Sequence, residues 1–188
     1  MIAGPNGSGK STLYRSLNDR KPLGRYLNAD DLVAEQGMTG PKAQSAVRTM
    51  RDEAMNSGIN YCFETVMSHP SHIEHLKAAK LIGYRVNLIY VALDDPELSL
   101  GRVKERVASG GHRVPKDRII KRYYRSLNLL ADAIYIADNA RIYDNSDYEQ
   151  PFVEVARLTN RALFCGAWRD LPRWFIPAFV ALNADVET

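Results

Sequence analysis

Near its amino terminus the chain reads Gly4-Pro5-Asn6-Gly7-Ser8-Gly9-Lys10-Ser11-Thr12, which fits the phosphate-binding pattern G-x-x-x-x-G-K-[ST]. Its glycines let the backbone turn its N–H groups inward, so that they can surround the α- and β-phosphates of a nucleotide at the positive end of the following helix. Lys10 is expected to reach the β- and γ-phosphate oxygens, and Ser11 to bind Mg²⁺. The pattern therefore predicts a site for ATP and Mg²⁺.

The whole motif is predicted to bind the nucleotide, with Thr12 as the position that could instead be ordinary helix surface. Only residues 1–3 precede the loop, whereas a strand usually has about five or six residues. Either the native start lies upstream or the first strand is short, and the sequence leaves both alternatives open. The predicted nucleotide-binding residues are Gly4, Pro5, Asn6, Gly7, Ser8, Gly9, Lys10, Ser11 and Thr12.

Length and composition predict one domain over residues 1–188, because 45% hydrophobic residues suffice for one buried core and no segment reads as a linker or repeat. No apolar run approaches the roughly 20 residues of a membrane span, and no signal peptide is recognisable. We therefore expect a cytoplasmic protein without a membrane partner. The cysteines, Cys62 and Cys165, fit no metal-type spacing and are expected to fill the core.

Strand-like and helix-like segments alternate along the chain. The longest near-continuous apolar run, Val86–Leu93, predicts a parallel strand buried on both faces. The alternation predicts an α/β protein with the three-layer phosphate-loop NTPase fold, a mainly parallel central sheet and helices on both faces. An aromatic segment, Trp168–Leu182, within a tail of about residues 150–188, is expected to pack outside the sheet. The other predicted strands are Tyr26–Ala29, Ile59–Thr65, Arg141–Asp144 and Phe152–Ala156, and the predicted helices are Lys10–Asp19, Pro41–Ser57, Ser71 to Gly83, one capped by Asp94-Asp95-Pro96-Glu97, and Lys116 to Ile134.

Carboxylates follow two of the predicted strands, at Asp30 and Glu64. Because ligands of open α/β sheets bind beyond the carboxyl ends of the strands, we expect both residues and the phosphate loop to converge on one crevice. Asp30 is the candidate for the carboxylate that orients or deprotonates an attacking hydroxyl in phosphoryl transfer. Alternatively, Asp30 or Asp31 caps a helix that begins near Leu32, and Glu64 is bonded to the next loop.

Positive charge is concentrated in residues 101–125, which carry nine lysines and arginines against two carboxylates, although the net charge of the chain is only +3. Arg102 and Arg106 share one helical face, and Arg113 lies in a break beside two glycines. This arrangement predicts an arginine-rich helical lid over about residues 97–126, which excludes water and neutralises the transferring phosphoryl group. The alternatives are a nucleic-acid contact or solvated surface charge.

Four segments form a recognisable set: Ala3–Thr12, Leu27-Asn28-Ala29-Asp30, Phe63-Glu64-Thr65, and Gly110-Gly111-His112-Arg113-Val114-Pro115 leading to Arg122-Tyr123-Tyr124-Arg125-Ser126-Leu127. Together they resemble the zeta toxin family. The resemblance spans roughly residues 2–145 and leaves the tail uncovered. The phosphate loop alone occurs in many families, and its combination with Asn-Ala-Asp and Gly-Gly-His is more specific.

Zeta toxins are phosphate-loop kinases of toxin–antitoxin systems, and they transfer the γ-phosphate of ATP to the 3′-hydroxyl of UDP-N-acetylglucosamine. The resemblance implies that activity here, with an antitoxin protein as partner. It places Asp30 at the family's catalytic base, and Glu64 and Thr65 near its sugar-nucleotide contacts. Arg102 and Arg113 fall near its two phosphate-contacting arginines. Since the alignment of the arginines needs a small gap, Arg106 is a rival to Arg102.

We therefore expect an ATP- and Mg²⁺-dependent small-molecule kinase whose catalytic residues are Lys10, Asp30, Arg102 and Arg113. The chain departs from the best-studied toxins in being shorter and in lacking their glycine-containing substrate turn after Glu64, so the sugar nucleotide is less firmly indicated than the kinase chemistry. The alternatives are a polynucleotide or RNA kinase, whose basic helices grip a phosphate backbone, and a nucleotide-gated ATP-binding module without transfer chemistry. We expect a small-molecule substrate and an antitoxin protein as partners rather than a nucleic acid.

Overall fold

In a computed structural model, which describes residues 1–20, 22–111 and 113–184, the chain forms two compact units. The first unit consists of Met1–Ile2 and Ser11–Thr65. The second consists of Ala3–Lys10 and the described chain from Val66 onward. The first strand, β1, is Ile2–Ala3, and both of its residues are buried.

The first unit packs helices against a pair of parallel strands. In the pair formed by β2 and β3, Tyr26 lies opposite Cys62. Leu27, Val47 and Phe63 form a buried cluster between the strands and α3, because the apolar face of that helix repeats at helical spacing. The elements are α1 (Lys10–Asn18), β2 (Arg25–Leu27), α2 (Ala29–Gln36), α3 (Gly40–Asn56) and β3 (Tyr61–Thr65).

Helix α2 begins earlier than the sequence indicated, and its cap is a different residue. The side chain of Asn28 accepts a hydrogen bond from the backbone N–H of Asp30, which is the usual role of an N-cap residue. The alternative in which Asp30 or Asp31 caps a helix near Leu32 is therefore wrong. Both aspartates instead lie in the first turn of α2, where the helix dipole stabilises negative charge.

The second unit contains the remaining elements. Strand β4 is parallel to β5, whereas β5, β6 and β7 pair antiparallel, with a bulge between Ile142 and Tyr143. The predicted cap of α5 is confirmed, since the side chain of Asp95 accepts a hydrogen bond from the N–H of Glu97. The elements are α4 (Ser71–Leu81), β4 (Asn87–Ala92), α5 (Pro96–Ala108), α6 (Lys116–Asn128), α7 (Leu130–Ile136), β5 (Asn139–Asp144), β6 (Val153–Thr159), β7 (Ala162–Cys165), a 3₁₀ turn (Trp168–Asp170) and α8 (Ile176–Ala184).

The strands form a seven-stranded sheet in the order β2-β3-β1-β4-β5-β6-β7. The predicted α/β fold with a mainly parallel sheet is confirmed. The sequence did not indicate β7, because the turn before it uses Asn160 and Arg161 in the left-handed region rather than the usual Asn-Gly pair. None of the helices in the described ranges combines the length and hydrophobicity that a transmembrane span requires.

Two expectations about the second unit need correction, one about a helix and one about Cys165. The helix expected from Lys116 to Ile134 is two helices, because the chain turns at Leu129 between α6 and α7. On α6, Tyr123 is buried, whereas the neighbouring Tyr124 has 54% of its surface exposed. In the aromatic tail, α8 packs against α6 and α7, and Nε1 of Trp174 donates a hydrogen bond of 2.6 Å to Oδ2 of Asp144, the last residue of β5. Of the cysteines, Cys62 is buried as expected, whereas Cys165 is only half-buried.

Candidate active site

The phosphate loop belongs to the second unit up to Lys10, and two of its glycines are required by close contacts. Gly4 has φ +141°, and a Cβ there would overlap the carbonyl oxygen of Val91 on β4. Gly9 has φ +93°, and its Cβ would lie 2.5 Å from Nδ2 of Asn145. A side chain at either position would meet both backbone strain and a steric clash, so the chain needs glycine at both positions to adopt this loop.

The polar atoms of the loop fit a phosphate ligand. Lys10 is only 7% exposed, and its ammonium donates a hydrogen bond of 2.8 Å to the carbonyl oxygen of Pro5. Oδ1 of Asn6 and Oγ of Ser8 are buried and have no hydrogen-bond partner among the described residues. Because buried polar atoms in native proteins are nearly always paired, an unpaired hydroxyl inside a lysine-bearing loop indicates a place for a polar ligand.

Asn145, directly after β5, lies outside the phosphate-binding motif but bonds to the phosphate loop. Its Nδ2 donates a hydrogen bond of 2.9 Å to the carbonyl oxygen of Ser8, and its Oδ1 accepts one of 3.3 Å from the N–H of Phe152. Its backbone N–H donates to the carbonyl oxygen of Ala92, the last residue of β4. The side chain is thereby fixed between the end of the parallel strands and the phosphate loop.

Arg102 is the arginine that lies beside the phosphate loop. A Cβ on Gly7 would lie 3.1 Å from the Cβ of Arg102, which places this part of α5 directly against the loop. The guanidinium stacks 4.4 Å from the ring centroid of Tyr148 and donates hydrogen bonds of 3.3 Å to the hydroxyl of Tyr148 and the carbonyl of Ser146. Arg106 lies one turn further along α5 and is exposed.

The lid predicted over residues 97–126 corresponds to α5, α6 and their connection. Arg113 is exposed and lines an open groove of about 650 Å³ between these helices, together with Val107 and Pro115. His112, which belongs to the Gly-Gly-His segment, lies outside the described residues. Closure of this segment over a nucleotide therefore stays a prediction, as does the phosphate contact of Arg113.

In the first unit, Ser11 and Glu64 meet although they are 53 residues apart in sequence. The Ser11 hydroxyl donates a hydrogen bond of 3.0 Å to Oε1 of Glu64, and the Tyr26 hydroxyl donates one of 2.7 Å to Oε2. Burial, together with the carboxylate of Glu64, strongly raises the pKa of Tyr26, so its hydroxyl stays protonated and available as a donor. The ring of Tyr14 stacks on that of Tyr26 with centroids 3.6 Å apart and steadies it.

Asn28 and Asp31 extend this carboxylate network. Nδ2 of Asn28 donates to the Tyr26 hydroxyl at 3.2 Å and to Oδ1 of Asp31 at 3.4 Å. Partial desolvation, followed by repulsion from neighbouring carboxylates that include Glu64, raises the pKa of the Asp31 carboxyl, although the residue remains exposed overall. Asp30 is exposed in the same helical turn. A carboxylate crowded by like charge is suited to accept a proton or a cation.

Several residues of this site were not predicted from the sequence. Tyr26, Asp31 and Tyr148 carry no motif that would assign them a role. For Asn145, the signal was available, because Asp144-Asn145-Ser146 places polar residues at the carboxyl end of a buried strand, where ligands of α/β proteins bind. Thr65 ends β3, half-buried, and Thr12 lies exposed on α1.

The strand order, the glycine loop and its buried lysine define a protein of the phosphate-loop nucleotide-binding class. A family model for Zeta toxin matches residues 25–150, which is more than half of the chain. The chain therefore belongs to the zeta toxin family. Among curated proteins, an uncharacterised protein of Haemophilus influenzae is 33% identical over 128 residues, covering 65% of this chain and 90% of that protein.

Solved structures share the fold. A chain of the AvrRxo1-ORF1:-ORF2 complex with ATP superposes with a TM-score of 0.68 at 17% identity, over 87% of this chain and 59% of that chain. This chain thus spans about three fifths of that relative. A chain of the PezAT chromosomal toxin–antitoxin system of Streptococcus pneumoniae superposes with a TM-score of 0.57 at 19% identity, over 100% of this chain and 87% of that one. The family model shows the family to which the chain belongs, and the solved structures show its fold.

Proposed function

We propose that this protein is a kinase that transfers the γ-phosphate of ATP to a hydroxyl group of a sugar nucleotide, with UDP-N-acetylglucosamine as the acceptor. The observation that carries the proposal is the hydrogen bond between Ser11, the serine of the phosphate-binding motif, and the carboxylate of Glu64. In phosphate-loop NTPases the motif hydroxyl and a strand-end acid hold the magnesium ion of the nucleotide. Ser11 and Glu64 supply these two groups, and both residues belong to the first unit.

Mg²⁺ fits Ser11 and Glu64, because hydroxyl and carboxylate oxygens are the ligands that this hard cation prefers. When bound, the ion supplies positive charge that offsets the charge on the β- and γ-phosphates. The family resemblance suggests a second role for Glu64, a contact with the sugar nucleotide. The contact with Ser11 favours the magnesium role for Glu64. Thr65, the next residue and the last of β3, is assigned the contact with the acceptor, as the family resemblance implies.

Each remaining residue has a defined part in the reaction. Lys10 holds the β- and γ-phosphate oxygens. Asp30 accepts the proton of the acceptor hydroxyl. At the same time the oxygen of that hydroxyl forms a bond to the γ-phosphorus, and the bond between the γ-phosphorus and the bridging oxygen of ADP breaks. Arg102 and Arg113, on the proposed lid, stabilise the charge on the transferring phosphoryl group. The products are ADP and a phosphorylated sugar nucleotide.

The proposed biological setting is that of a toxin. A solved structure with the same fold belongs to a toxin–antitoxin system, the PezAT system of Streptococcus pneumoniae, which supports an antitoxin protein as partner. We propose that this partner restrains the kinase in the cytoplasm, where ATP and UDP-sugars are found. Phosphorylation of UDP-N-acetylglucosamine would withdraw a precursor of the cell wall.

Phosphorus-31 NMR on the purified chain with ATP and Mg²⁺ tests this proposal. The acceptor panel contains UDP-N-acetylglucosamine, UDP-glucose, a 5′-hydroxyl oligonucleotide and water alone, and Lys10→Ala serves as the matched blank. We expect a new phosphomonoester signal only with UDP-N-acetylglucosamine and only with the unaltered chain. Phosphorylation of the oligonucleotide would instead establish a polynucleotide kinase. ATP binding without ADP formation in the presence of any of these acceptors would establish a nucleotide-binding module.

A further inference from the structure

We propose that Asn145 is a positioning residue for the phosphate loop, acting through the carbonyl group of Ser8 to aim the neighbouring backbone N–H at the phosphates of ATP. The inference rests on the proposed use of ATP. It deepens that function by placing part of the control of nucleotide affinity outside the G-x-x-x-x-G-K-[ST] motif, at the end of β5.

The network around Asn145 specifies one orientation of its carboxamide. The side chain is buried, Nδ2 faces the Ser8 carbonyl oxygen at 2.9 Å, and Oδ1 faces the Phe152 N–H at 3.3 Å. A flipped amide would set oxygen against oxygen and N–H against N–H, so only one orientation satisfies both partners. The backbone bond from Asn145 to Ala92 fixes the residue further. The donor that faces the phosphate loop is therefore held in place from three directions.

The Ser8 carbonyl determines where the next N–H points. Because the peptide bond is planar and trans, the carbonyl of Ser8 and the N–H of Gly9 point in opposite directions from the same plane. Gly9 has no side chain to restrict its own rotation, and its φ of +93° is a conformation that glycine alone adopts readily. The bond from Asn145 therefore limits the direction of the Gly9 N–H, one of the donors that a phosphate loop presents to its ligand.

Phe152 supports the same arrangement. It has φ +58°, a left-handed conformation that is uncommon for a bulky residue, and it supplies the N–H that orients the Asn145 carboxamide. A Cβ on Gly9 would lie 3.3 Å from the ring of Phe152, so the ring also packs against the loop. Strained backbone of this kind persists where the surroundings hold it, and it is concentrated at functional sites.

The test compares Asn145→Asp with the unaltered chain by calorimetric titration with Mg²⁺ and ATP. The substitution keeps the size of the side chain and the acceptor for Phe152, but it replaces the donor with an oxygen that faces the Ser8 carbonyl. We expect ATP to bind about tenfold or more weakly, because a buried polar group loses its partner. The matched control is Asn139→Asp, which removes the same kind of donor from β5, where Nδ2 of Asn139 bonds to Oδ1 of Asn87. The control should bind ATP within about twofold of the unaltered chain.

The pH dependence separates positioning from a general loss of structure. A protonated carboxyl group at position 145 can donate to the Ser8 carbonyl, and burial raises its pKa. Relative to the unaltered chain, ATP binding by Asn145→Asp should therefore recover several-fold between about pH 8 and about pH 5.5. Equal ATP affinity of the variant and the unaltered chain at neutral pH would overturn the proposal, and so would a loss that does not recover in acid.

A second variant covers the case in which Asn145→Asp does not fold. Asn145→Ser adds no charge but is too short to reach the Ser8 carbonyl, so ATP should bind about fivefold more weakly at a temperature at which circular dichroism shows the variant to be folded. Unchanged ATP affinity in this variant would also overturn the proposal. If the unaltered chain itself does not bind ATP, the proposed kinase function fails as well, whereas failure with UDP-N-acetylglucosamine alone leaves the role of Asn145 standing.

Discussion

The phosphate loop and the carboxylate network are constructed in opposite ways. The loop is held by glycine backbone, by the buried Lys10 and by the neutral side chain of Asn145, so its geometry is largely fixed before any ligand arrives. The network of Glu64 and Asp31 is made of side chains that are half-buried or exposed, and its charges repel one another. The difference indicates that the loop is preorganised for phosphate, whereas the network is suited to respond to a cation or a proton.

Replacing the proposed base should have the largest effect. Asp30→Asn should lower kcat about 10³-fold, because the acceptor hydroxyl loses the group that takes its proton, while ATP binding is preserved. The measurement is the steady-state rate of ADP formation with the acceptor identified by NMR.

Asp31→Asn is the matched comparison, since it makes the same change one residue along the same helical turn. It should lower kcat less than about tenfold. The reverse order of the two effects would transfer the role of base to Asp31, whose carboxyl belongs to the network of Asn28, Tyr26 and Glu64.

The next largest effect distinguishes the two arginines of α5. Arg102→Met should lower kcat about 10²-fold, because the group that lies against the phosphate loop loses its charge while most of its apolar stem is retained. Arg106→Met, one turn away and exposed, should change kcat less than about twofold. A larger loss in Arg106→Met would identify Arg106 as the phosphate contact.

A smaller effect tests which ligand Glu64 serves. Glu64→Gln should raise the Mg²⁺ concentration required for half-maximal rate about tenfold, because the oxygen beside Ser11 loses its negative charge. The KM for the acceptor should stay within about twofold. Glu53→Gln, an exposed glutamate on α3, is the control. If the KM for UDP-N-acetylglucosamine rises instead while the Mg²⁺ requirement is unchanged, Glu64 contacts the sugar nucleotide.

The smallest effect concerns stability and contrasts two aspartates. Burial acts to raise the pKa of Asp138, but the N–H of Val86 and the ammonium of Lys80 outweigh it and lower that pKa. The resulting stabilisation is present above the unfolded-state pKa of about 4 and disappears as the pH falls through the lower folded-state pKa. After allowance for solvent screening, Asp138→Asn should cost about 1 kcal/mol of unfolding free energy at neutral pH.

Asp31 should behave in the opposite sense. Its pKa is raised in the folded state, so its ionised form opposes folding at neutral pH, and stability increases as the pH falls through the raised value. Asp31→Asn should therefore leave the denaturation midpoint in urea unchanged or slightly higher at neutral pH. A midpoint lowered as far as in Asp138→Asn would show that Asp31 supports the fold rather than being crowded within it.

Features encoded locally were predictable from the sequence. The phosphate-binding motif needs only nine consecutive residues, and the Asp95 cap of α5 needs three, so short-range chemistry identified both. The parallel strand β4 was evident because a strand buried on both faces is mostly apolar, and after Asn87 the residues of β4 are apolar or aromatic. The alternation of such elements was sufficient for the fold class.

Features that depend on distant partners were not predictable in the same way. The pairing of Ser11 with Glu64 and the support of Ser8 by Asn145 join positions that no local pattern connects. The cap of α2 was misassigned because Asn28, Asp30 and Asp31 are all good capping residues, and only the backbone conformation decides among them. The break at Leu129 also lacks a signal, since neither glycine nor proline marks it.

Ser8 and Asn145 are separated by 137 positions, which has a consequence for synthesis. A ribosome adding about 5–20 residues per second needs on the order of ten seconds to pass from one to the other. During that interval the emerging polypeptide already carries the complete glycine and lysine motif, but the hydrogen bond that steadies it cannot form. A truncated product released before β5 would thus bear the signature of a nucleotide-binding protein without the support on which its loop depends.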